Sequence, residues 1–192
     1  MAIEIINICK AYGSNKVLEC FNCRIEEGTV TCFMGQSGHG KTTLLRILSG
    51  LENPDSGEIK GLLNKRKSAV FQEDRLCGNL SAASNIRLVC GKSVKLSVIT
   101  SSMSAVGLDP RRVNQTARSM SGGQRRRAAI LRALMAEYDI LFMDEPFKGL
   151  DTETKEKVML YTKERSKGKT VIFVTHDKTE CEAMGAKAVY IK

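Results

Sequence analysis

Residues 35–43 form the stretch GQSGHGKTT, and this glycine-rich stretch decides the fold class of the 192-residue chain. It follows the apolar run TVTCFM (29–34) and precedes TTLLRILSGL (42–51), whose aliphatic residues recur at helical spacing. The stretch matches the pattern G-x-x-x-x-G-K-[ST] between a strand and a helix. Glycines let the backbone N–H groups wrap around an anion, and the following helix presents its positive end to that anion. The stretch therefore predicts a phosphate-binding loop.

The side chains of this loop predict what it binds. Lys41 supplies a mobile positive charge for the β- and γ-phosphates of a nucleotide, and the hydroxyl of Thr42 is suited to bind Mg²⁺. His39 occupies a variable position of the pattern and receives no individual role. The residues predicted to line the nucleotide phosphates are Gly35, Gln36, Ser37, Gly38, His39, Gly40, Lys41, Thr42 and Thr43.

A pair of acids follows a second apolar run, ILFMDEP (140–146). Asp144 comes directly after four apolar residues, where a buried strand is expected to end. A carboxylate at the end of a strand beside a phosphate-binding loop binds Mg²⁺ directly or through water. The next carboxylate, Glu145, is suited to polarise the attacking water. We therefore predict Asp144 as a metal ligand and Glu145 as the general base.

Strand-like segments open the chain and helix-like segments occupy its middle. AIEIINI (2–8) and VLECFNCRI (17–25) alternate as strands do. The helix predicted after the loop places Leu51 on its apolar face and ends near Gly50, before a turn at NPDSGE (53–58). Beyond residue 78 the sequence is rich in serine, alanine and leucine and predicts an insertion of helices.

The last third predicts a strand–helix–strand unit over 139–175. ILFM (140–143) and VIFV (171–174) are continuous apolar runs, typical of parallel strands buried on both faces. Between them, residues 151–166 predict an amphipathic helix. Strands alternating with helices in this way predict the α/β class.

Composition indicates a soluble globular protein and excludes a membrane-spanning one. Hydrophobic residues make up 42% and charged residues 27% of the chain. No apolar run approaches the roughly 18 residues needed to span a bilayer. An early Glu4 and the absence of a basic N-terminal region argue against a secretory signal. We therefore expect a cytoplasmic location.

The formal net charge of +9 raises the question whether the chain has a surface that binds an anionic partner. Basic residues gather at 64–67, 111–112, 125–127 and 163–169. We expect these groups, including the RRR of 125–127, on solvated faces; the alternatives are a nucleic-acid surface or attraction to an anionic membrane face. Aromatic residues make up only 5% of the chain, so base stacking has little support.

Seven cysteines are scattered along the chain, an odd number without the spacing of a zinc site. Cys20 and Cys23 form a C-x-x-C, but no second pair of cysteine or histidine completes it. We expect the thiols to be buried and reduced, with metal or redox chemistry as the less favoured alternative.

The stretch MSGGQ (120–124) narrows the class of nucleotide-binding protein. It resembles the L-S-G-G-Q signature of the ATP-binding cassette (ABC) family, with Met120 in place of leucine. Other family motifs follow in the expected order; they place Tyr12 as the adenine-stacking aromatic, Gln72 in the Q-loop, Asp151 in the D-loop and His176 in the switch. A GTPase is disfavoured because N-K-x-D is absent, and a small-molecule kinase would not account for MSGGQ or His176.

The resemblance implies a mechanism that uses ATP and Mg²⁺. Gln72 would hold Mg²⁺ together with Thr42 and Asp144, and His176 would act with Glu145 on the water and the γ-phosphate. The catalytic set is therefore Glu145, His176, Gln72 and Lys41. In this family the signature closes over ATP bound to a second subunit, so that two chains pair head to tail on two nucleotides. The nucleotide-contacting residues outside the phosphate loop are Tyr12, Gln72, Ser121, Gly122, Gly123, Gln124, Asp151 and His176.

The resemblance also implies the architecture. It predicts one ABC ATPase domain over 1–192, a P-loop NTPase with a RecA-like parallel core sheet and an antiparallel β subdomain. The core is expected at about 1–77 and 129–192, with an inserted helical subdomain at about 78–128. We expect no accessory domain. The D-loop departs from the usual S-A-L-D, since Lys148 and Gly149 precede Leu150.

For function, the resemblance predicts a subunit that powers transport through a separate membrane permease. It implies homodimerisation on ATP binding, docking of the permease at about 72–90, and a solute-binding protein in the same system. The location would be cytoplasmic, peripheral on the inner face of the cell membrane. The compact form is similar to importer subunits for nitrate, sulfonate or taurine, or thiamine. The alternative is a non-transport ABC ATPase that acts on nucleic acid or the ribosome.

Overall fold

The structure is a computed structural model that describes residues 2–36, 38–91 and 94–191. The strands are β1 Ile3–Tyr12, β2 Asn15–Ile25, β3 Val30–Met34, β4 Ser56–Lys60, β5 Lys67–Val70, β6 Ile140–Asp144, β7 Thr170–Val174 and β8 Lys187–Tyr190. The α-helices are α1 Lys41–Ser49, α2 Ala82–Cys90, α3 Leu96–Ala105, α4 Gly122–Met135, α5 Thr152–Arg165 and α6 Lys178–Met184. Single 3₁₀ turns lie at Pro110–Arg112 and Ala117–Ser119.

The chain divides into two compact units. The first comprises Met1–Ala69, Tyr138–Asp144 and Gly168–Lys192, and the second comprises Val70–Glu137 and Glu145–Lys167. The helical segment predicted at about 78–128 lies within the second unit.

A five-stranded sheet of order β5-β6-β7-β3-β8 forms the centre of the first unit. Strands β6, β7, β3 and β8 run parallel, and Val174 of β7 lies opposite both Asp144 of β6 and Phe33 of β3. The carboxyl ends of these strands therefore meet at one edge of the sheet, which is where parallel α/β folds place their ligand sites.

The apolar runs predicted as buried strands are buried throughout. Every residue of β6 and β7 is buried, and the buried leucines and isoleucine of α1 complete the same core. Helix α1 packs against β6 and β7. Burial of an aliphatic side chain contributes about 1.5–3 kcal/mol, so this layer of helix on sheet is a main source of stability for the phosphate loop above it.

Helix α1 ends where the sequence analysis places its stop, at Gly50. The helix stops at Ser49 because Gly50 adopts a left-handed conformation (φ 83°) and its N–H closes on the carbonyls of Arg46 and Ile47. Leu51 therefore falls outside the apolar face and is 51% exposed, contrary to the prediction. The turn predicted at 53–58 is also shorter, because β4 begins at Ser56.

The first unit also contains an antiparallel sheet of order β2-β1-β4. The β1–β2 hairpin carries three irregularities of register, and β1 also pairs with β4. Alternating residues of β1 and β2 enter the core, among them Ile3, Ile5 and Leu18.

The second unit is built mainly of helices. Helix α2 packs on α4, and buried Asn85 of α2 ties down the preceding loop. The side-chain amide of Asn85 donates to the carbonyls of Cys77 (3.1 Å) and Leu80 (3.2 Å), while its oxygen accepts the N–H of Cys77 (2.8 Å). Among the helices of the described residues, none combines the length and the apolar character needed to cross a membrane.

Candidate active site

The phosphate-binding loop connects β3 to α1 at the carboxyl edge of the parallel sheet. Two of its glycines occupy positions where a side chain would collide with the backbone. A Cβ on Gly40 (φ 71°) would lie 2.3 Å from the carbonyl oxygen of Val17, and one on Gly35 would lie 2.5 Å from that of Ile191. These glycines are therefore required by the chain's own packing. Ser37 of the predicted loop lies outside the described residues.

Lys41 is the first residue of α1, and its side chain is held inside the loop. The residue is buried, and its Nζ donates to the carbonyls of Gly35 (2.9 Å) and Gln36 (2.7 Å). The following residues, Thr42 and Thr43, occupy the first turn of the same helix, where backbone N–H groups lack helical partners. The loop therefore collects an ammonium group, a helix N-terminus and a hydroxyl, which together suit a polyphosphate.

Two further predicted residues lie at the same edge of the sheet. Asp144 is buried as the last residue of β6, and His176 follows β7 by two residues and is exposed. Strand β7 separates β6 from β3, so the end of β6 lies about 10 Å from that of β3 at the usual strand spacing. The first unit thus brings the phosphate loop, the predicted metal ligand Asp144 and the predicted switch histidine His176 to one edge.

The turn after β7 is fixed by a buried pair that the sequence analysis missed. The Thr175 hydroxyl donates to the Glu180 carboxylate of α6 (2.6 Å) and accepts the N–H of Asp177 (3.1 Å). Asp177 in turn caps α6 through the N–H of Thr179 (2.9 Å). These bonds fix the backbone on either side of His176.

Tyr12 ends β1 and presents a half-exposed ring, as an adenine platform requires. Its hydroxyl donates to the carboxylate of Glu52, which also pairs with Arg46 (3.2 Å) and Lys10 (3.7 Å). The Lys10 ammonium lies 5.6 Å from the ring centroid. Glu52 was not predicted, because nothing in the local pattern links residue 52 to a strand end forty residues earlier.

Glu145 is the first residue of the second segment of the second unit, and its backbone conformation is strained. Its φ of 43° is uncommon for a residue with a side chain, and such strain concentrates at functional sites. The Glu145 side chain is only 18% exposed, and its Oε2 accepts a bond from the Lys148 ammonium at 2.6 Å. The D-loop departure noted in the sequence therefore touches the predicted general base directly.

Arg126 fixes the backbone around Glu145. The side chain is buried, and it donates to the carbonyls of Glu145 (2.6 Å) and Pro146 (3.0 Å), of Phe71, and of Gln72 (3.2 Å). It also lies 3.5 Å from the Asp74 carboxylate. One guanidinium thus connects the predicted Q-loop to the segment that carries the predicted general base.

The prediction that the arginines of 125–127 lie on a solvated face was wrong for Arg126 and Arg127. Arg126 is 6% exposed, and Arg127 donates to the carbonyls of Gly107 (2.6 Å) and Gly123 (3.1 Å). Burial lowers the pKa of Arg127. A run of like charges resembles a solvated face in sequence, although all three of its members bond to carbonyls here, since Arg125 also donates to that of Met120 (2.7 Å).

The signature MSGGQ forms the start of α4. Met120 is buried, and Ser121 caps the helix: its hydroxyl accepts the N–H of Gln124 (3.3 Å) while the Gln124 side chain accepts the N–H of Ser121 (2.9 Å). Through this capping box, the Gln124 side chain stabilises the start of α4 within its own chain. Asp151 has a similar role, since it caps α5 through the N–H of Thr154 (3.0 Å), a bond that lowers the pKa of Asp151.

Gly122 and Gly123 differ from the loop glycines in what surrounds them. A Cβ on either residue would meet only ordinary contacts, at 4.0 Å from Arg125 and 3.8 Å from Leu150. Both glycines line a cavity of about 290 Å³, together with Gln72 and Lys148. Nothing within the second unit requires glycine here, although glycine in a helix costs about 0.5–1 kcal/mol relative to alanine.

The expectation that the cysteines are buried holds for some positions only. Cys32 and Cys181 are buried, whereas Cys20 and Cys77 are exposed. All seven are free thiols.

Comparison with known proteins identifies the family. The profile of the ABC transporter family matches residues 18–148. The chain is 34% identical to the aliphatic sulfonates import ATP-binding protein SsuB 2 of Paraburkholderia xenovorans (strain LB400), over 100% of this chain and 77% of the relative. It is 33% identical to the probable sulfate/thiosulfate import ATP-binding protein CysA of Chlorella vulgaris, over 100% of this chain and 88% of the relative.

A solved structure gives the same result. The ATP-binding cassette MJ0796, in a dimeric post-hydrolysis state bound to ADP and Pi, superposes with a TM-score of 0.87 at 30% identity. The match covers 99% of this chain and 94% of that one. It confirms the predicted P-loop NTPase fold, and the family match confirms the resemblance that MSGGQ carries. The chain therefore belongs to the ABC transporter family and is an ATP-binding cassette.

Proposed function

We propose that this chain is the ATP-hydrolysing subunit of an importer, which drives solute transport through a separate membrane permease. The relatives named above carry importer names, and the chain spans most of their length. The subunit would lie at the inner face of the membrane through the permease, and a solute-binding protein would deliver the cargo. The cargo itself is not carried over, because the two relatives are named for different solutes, sulfonates in one and sulfate or thiosulfate in the other.

The observation that carries the proposal is the contrast between the two sets of glycines. Gly35 and Gly40 are required by backbone contacts within the chain, whereas Gly122 and Gly123 meet no such contact and weaken their own helix. Two glycines in the first turn of α4 leave its N–H groups open to an anion from outside the chain. We infer that this anion is the γ-phosphate of ATP on a second copy of the chain, so that two copies pair head to tail.

The residues at the sheet edge are proposed to bind the nucleotide. Tyr12 would stack on adenine, and the loop from Gly35 to Thr43 would hold the phosphates through backbone N–H groups and Lys41. Lys41 now bonds to two loop carbonyls, and a phosphate would replace these neutral acceptors with charged ones.

The oxygen donors of Thr42, Asp144 and Gln72 are the type that Mg²⁺ prefers, and we propose that these residues hold the ion. When bound, Mg²⁺ would neutralise charge on the β- and γ-phosphates.

Glu145 and His176 are proposed to carry the chemistry. The Glu145 carboxylate would accept the proton of the attacking water. His176, which follows strand β7, would bind the γ-phosphate. Ser121 would donate its hydroxyl hydrogen to the γ-phosphate of the partner subunit, because capping of α4 uses only the oxygen of Ser121 as an acceptor. Asp151 would lie beside the nucleotide at the start of α5.

The nucleic-acid alternative has weaker support than the net charge suggests. Arg126, Arg127 and Arg132 all bond to carbonyl groups of their own unit, so these charges are not part of an open basic surface. A sequence-independent nucleic-acid site depends on accessible Lys and Arg.

The test is to recover the membrane partner and assay the assembled complex in proteoliposomes. We expect the subunit to copurify with a multi-span permease, and a solute of that system to stimulate ATP hydrolysis and accumulate inside vesicles only with ATP. Copurification with ribosomes or nucleic acid, without solute-stimulated hydrolysis, would replace the transport proposal with the alternative.

A further inference from the structure

Two thiols on neighbouring strands of the antiparallel sheet lie in contact. Cys9 of β1 and Cys20 of β2 have their Sγ atoms 3.3 Å apart. Both belong to the free cysteines, and Cys20 is exposed while Cys9 is partly so. The proposed nucleotide site uses neither residue.

A β-bulge brings the two side chains together. Ile8 pairs with Phe21 and Lys10 pairs with Leu18, so Cys9 alone faces two residues of β2, Glu19 and Cys20. Cys20 adopts a φ of 48°, which is uncommon for a residue with a side chain. A strained residue persists only where its surroundings hold it, so the bulge keeps the Cys20 thiol directed at Cys9.

A pair of asparagines bonds to the same bulge. The N–H of Asn7 donates to the Asn22 side chain (2.9 Å), and the Asn22 amide donates to the carbonyl of Cys20 (2.6 Å). Both bonds lie in the same hairpin, and they support its conformation before any reaction of the thiols.

The surroundings make Cys9 the better nucleophile. The Cys20 backbone N–H donates to the Cys9 sulfur at 3.1 Å. Hydrogen bonds from Ser56 and then from Cys20 lower the pKa of the Cys9 thiol, whereas the bond with Cys9 raises the pKa of the Cys20 thiol. A thiolate-forming residue beside a protonated partner is the arrangement of an attacking and a resolving cysteine.

A surface cavity of about 270 Å³ is lined by Cys9 and Cys20. Lys10 and Lys16 line it together with the carboxylates of Glu19 and Asp55. A small zwitterionic molecule with ammonium and carboxylate groups finds partners of both signs in such a lining.

A second pair of neighbouring thiols, Cys32 and Cys181, shows what exposure adds. Both are buried, and burial raises the pKa of Cys32 far above its ordinary value. Buried thiols in apolar surroundings are inert, so contact between two sulfurs is not by itself sufficient.

We propose that Cys9 and Cys20 form a reactive dithiol site that exchanges with small zwitterionic disulfides and closes reversibly into an intrachain disulfide. The Cys9 thiolate attacks the small disulfide, forms a mixed disulfide and releases one small thiolate. The Cys20 thiol loses its proton and attacks the Cys9 sulfur, which expels the second small thiolate. The protein loses two protons and two electrons, and the small disulfide takes up both and becomes two thiols. Closure needs the sulfurs to move from 3.3 Å to the covalent distance of about 2.05 Å.

The test incubates the reduced chain with glutathione disulfide, alkylates the remaining thiols and maps the products by mass spectrometry. We expect a Cys9–Cys20 crosslink and no lasting glutathionyl group on the wild-type chain. C20S should stop at the mixed disulfide on Cys9, and C9S should form no crosslink. C23S, with its substitution on the same strand, and C77S, which removes another exposed thiol, are the matched controls and should keep the crosslink.

A second experiment detects the Cys9–Cys20 pair with a reagent that binds two thiols without oxidising them. Phenylarsine oxide condenses with two thiols and releases one water, so the wild-type chain and C23S should retain it and C20S should lose this binding at Cys9. The proposal is overturned if no Cys9–Cys20 peptide forms, if Cys23 takes the place of Cys20, or if C20S retains the arsenical at Cys9. None of these readouts depends on ATP, so they stand or fall separately from the proposed function.

Discussion

At the scale of the residue, the proposed general base is the side chain on which most of the chemistry depends. Glu145 is held by Arg126 at its carbonyl and by Lys148 at its carboxylate. Its backbone has a positive φ, which adds to the cost of placing it. The carboxylate is therefore fixed in place before any nucleotide binds.

Replacing Glu145 with glutamine should separate binding from hydrolysis. E145Q keeps the shape of the side chain but removes the proton acceptor, so we expect ATP binding to persist while phosphate release slows by about 10²- to 10⁴-fold. The variant should accumulate as a nucleotide-bound dimer in light scattering. E153Q, which changes an exposed acid of α5, is the control and should hydrolyse ATP normally. Undiminished turnover by E145Q would remove Glu145 as the base.

The hydrogen bond from Lys148 to Glu145 should reduce the ability of Glu145 to act as a base. The Lys148 ammonium occupies an oxygen of Glu145 that would otherwise accept a proton from water. Because Lys148 is 56% exposed, the ion pair is worth at most about 1 kcal/mol, and K148A should raise kcat no more than about fivefold with KM for ATP unchanged. K157A breaks the comparable Lys157–Glu153 pair of α5 and should change neither constant. A fall in kcat of K148A would mean that Lys148 positions the base instead.

At the scale of the element, the two glycines in the first turn of α4 lower the stability of the helix and leave its N-terminal N–H groups accessible. G123A should raise the free energy of unfolding by about 0.5–1 kcal/mol, since alanine favours a helix and the added Cβ meets only Leu150 at 3.8 Å. The same methyl group should block ATP-dependent dimerisation, because it covers the N–H groups that we assign to the partner's phosphate. Urea unfolding and light scattering of G123A in the E145Q background measure the two effects. Dimerisation at the E145Q level would contradict the assigned role of the signature.

G40A is the matched loop variant and should behave in the opposite way. Its Cβ would lie 2.3 Å from the Val17 carbonyl, and the left-handed φ of 71° disfavours a side chain. We expect G40A to be less stable than the wild type, so that alanine stabilises one glycine motif and damages the other.

An ion pair between the residues that precede β5 and β6 should make the stability of the fold depend on pH. Arg66 donates to the Asp139 carboxylate from its backbone N–H (2.9 Å) and its guanidinium (3.1 Å), and it lowers the pKa of Asp139 to about 2. The unfolded carboxyl has a pKa of about 3.9, so the folded state is favoured fully above that pH. This contribution falls as the pH drops toward 2. D139N should be less stable at pH 6 and should lose less stability than the wild type between pH 4 and 2. Urea unfolding across that range checks the slope.

At the scale of the whole molecule, the chain carries two half-sites that ATP is proposed to join. We expect the wild-type chain to be monomeric in nucleotide-free buffer and E145Q to become dimeric with ATP and Mg²⁺. Light scattering at matched protein concentration measures both states, with G123A in the E145Q background as the variant that stays monomeric. A tight dimer without nucleotide would count against ATP as the link between the copies.

Part of the fold and the site could be predicted from local pattern because the physics there is local. The apolar runs ILFM and VIFV predict buried strands, and the loop between β3 and α1 follows from glycine spacing and one lysine. The helix that carries MSGGQ begins where serine and glutamine can form a capping box. The end of α1 at Gly50 was also predicted, but Leu51 was wrongly placed on its apolar face, because the left-handed Gly50 ends the helix before that residue.

The sequence by itself determined the family, the phosphate loop, the strand that ends in Asp144 and the order of the site motifs, because each depends on residues a few positions apart. Only the tertiary structure decided that Arg126 is buried, that Lys148 bonds to Glu145, and that Cys9 meets Cys20 across a bulge. Those outcomes depend on which side chains the packed elements bring together and on where a strand departs from regular register. Neither hydrophobic period nor motif spacing carries that information.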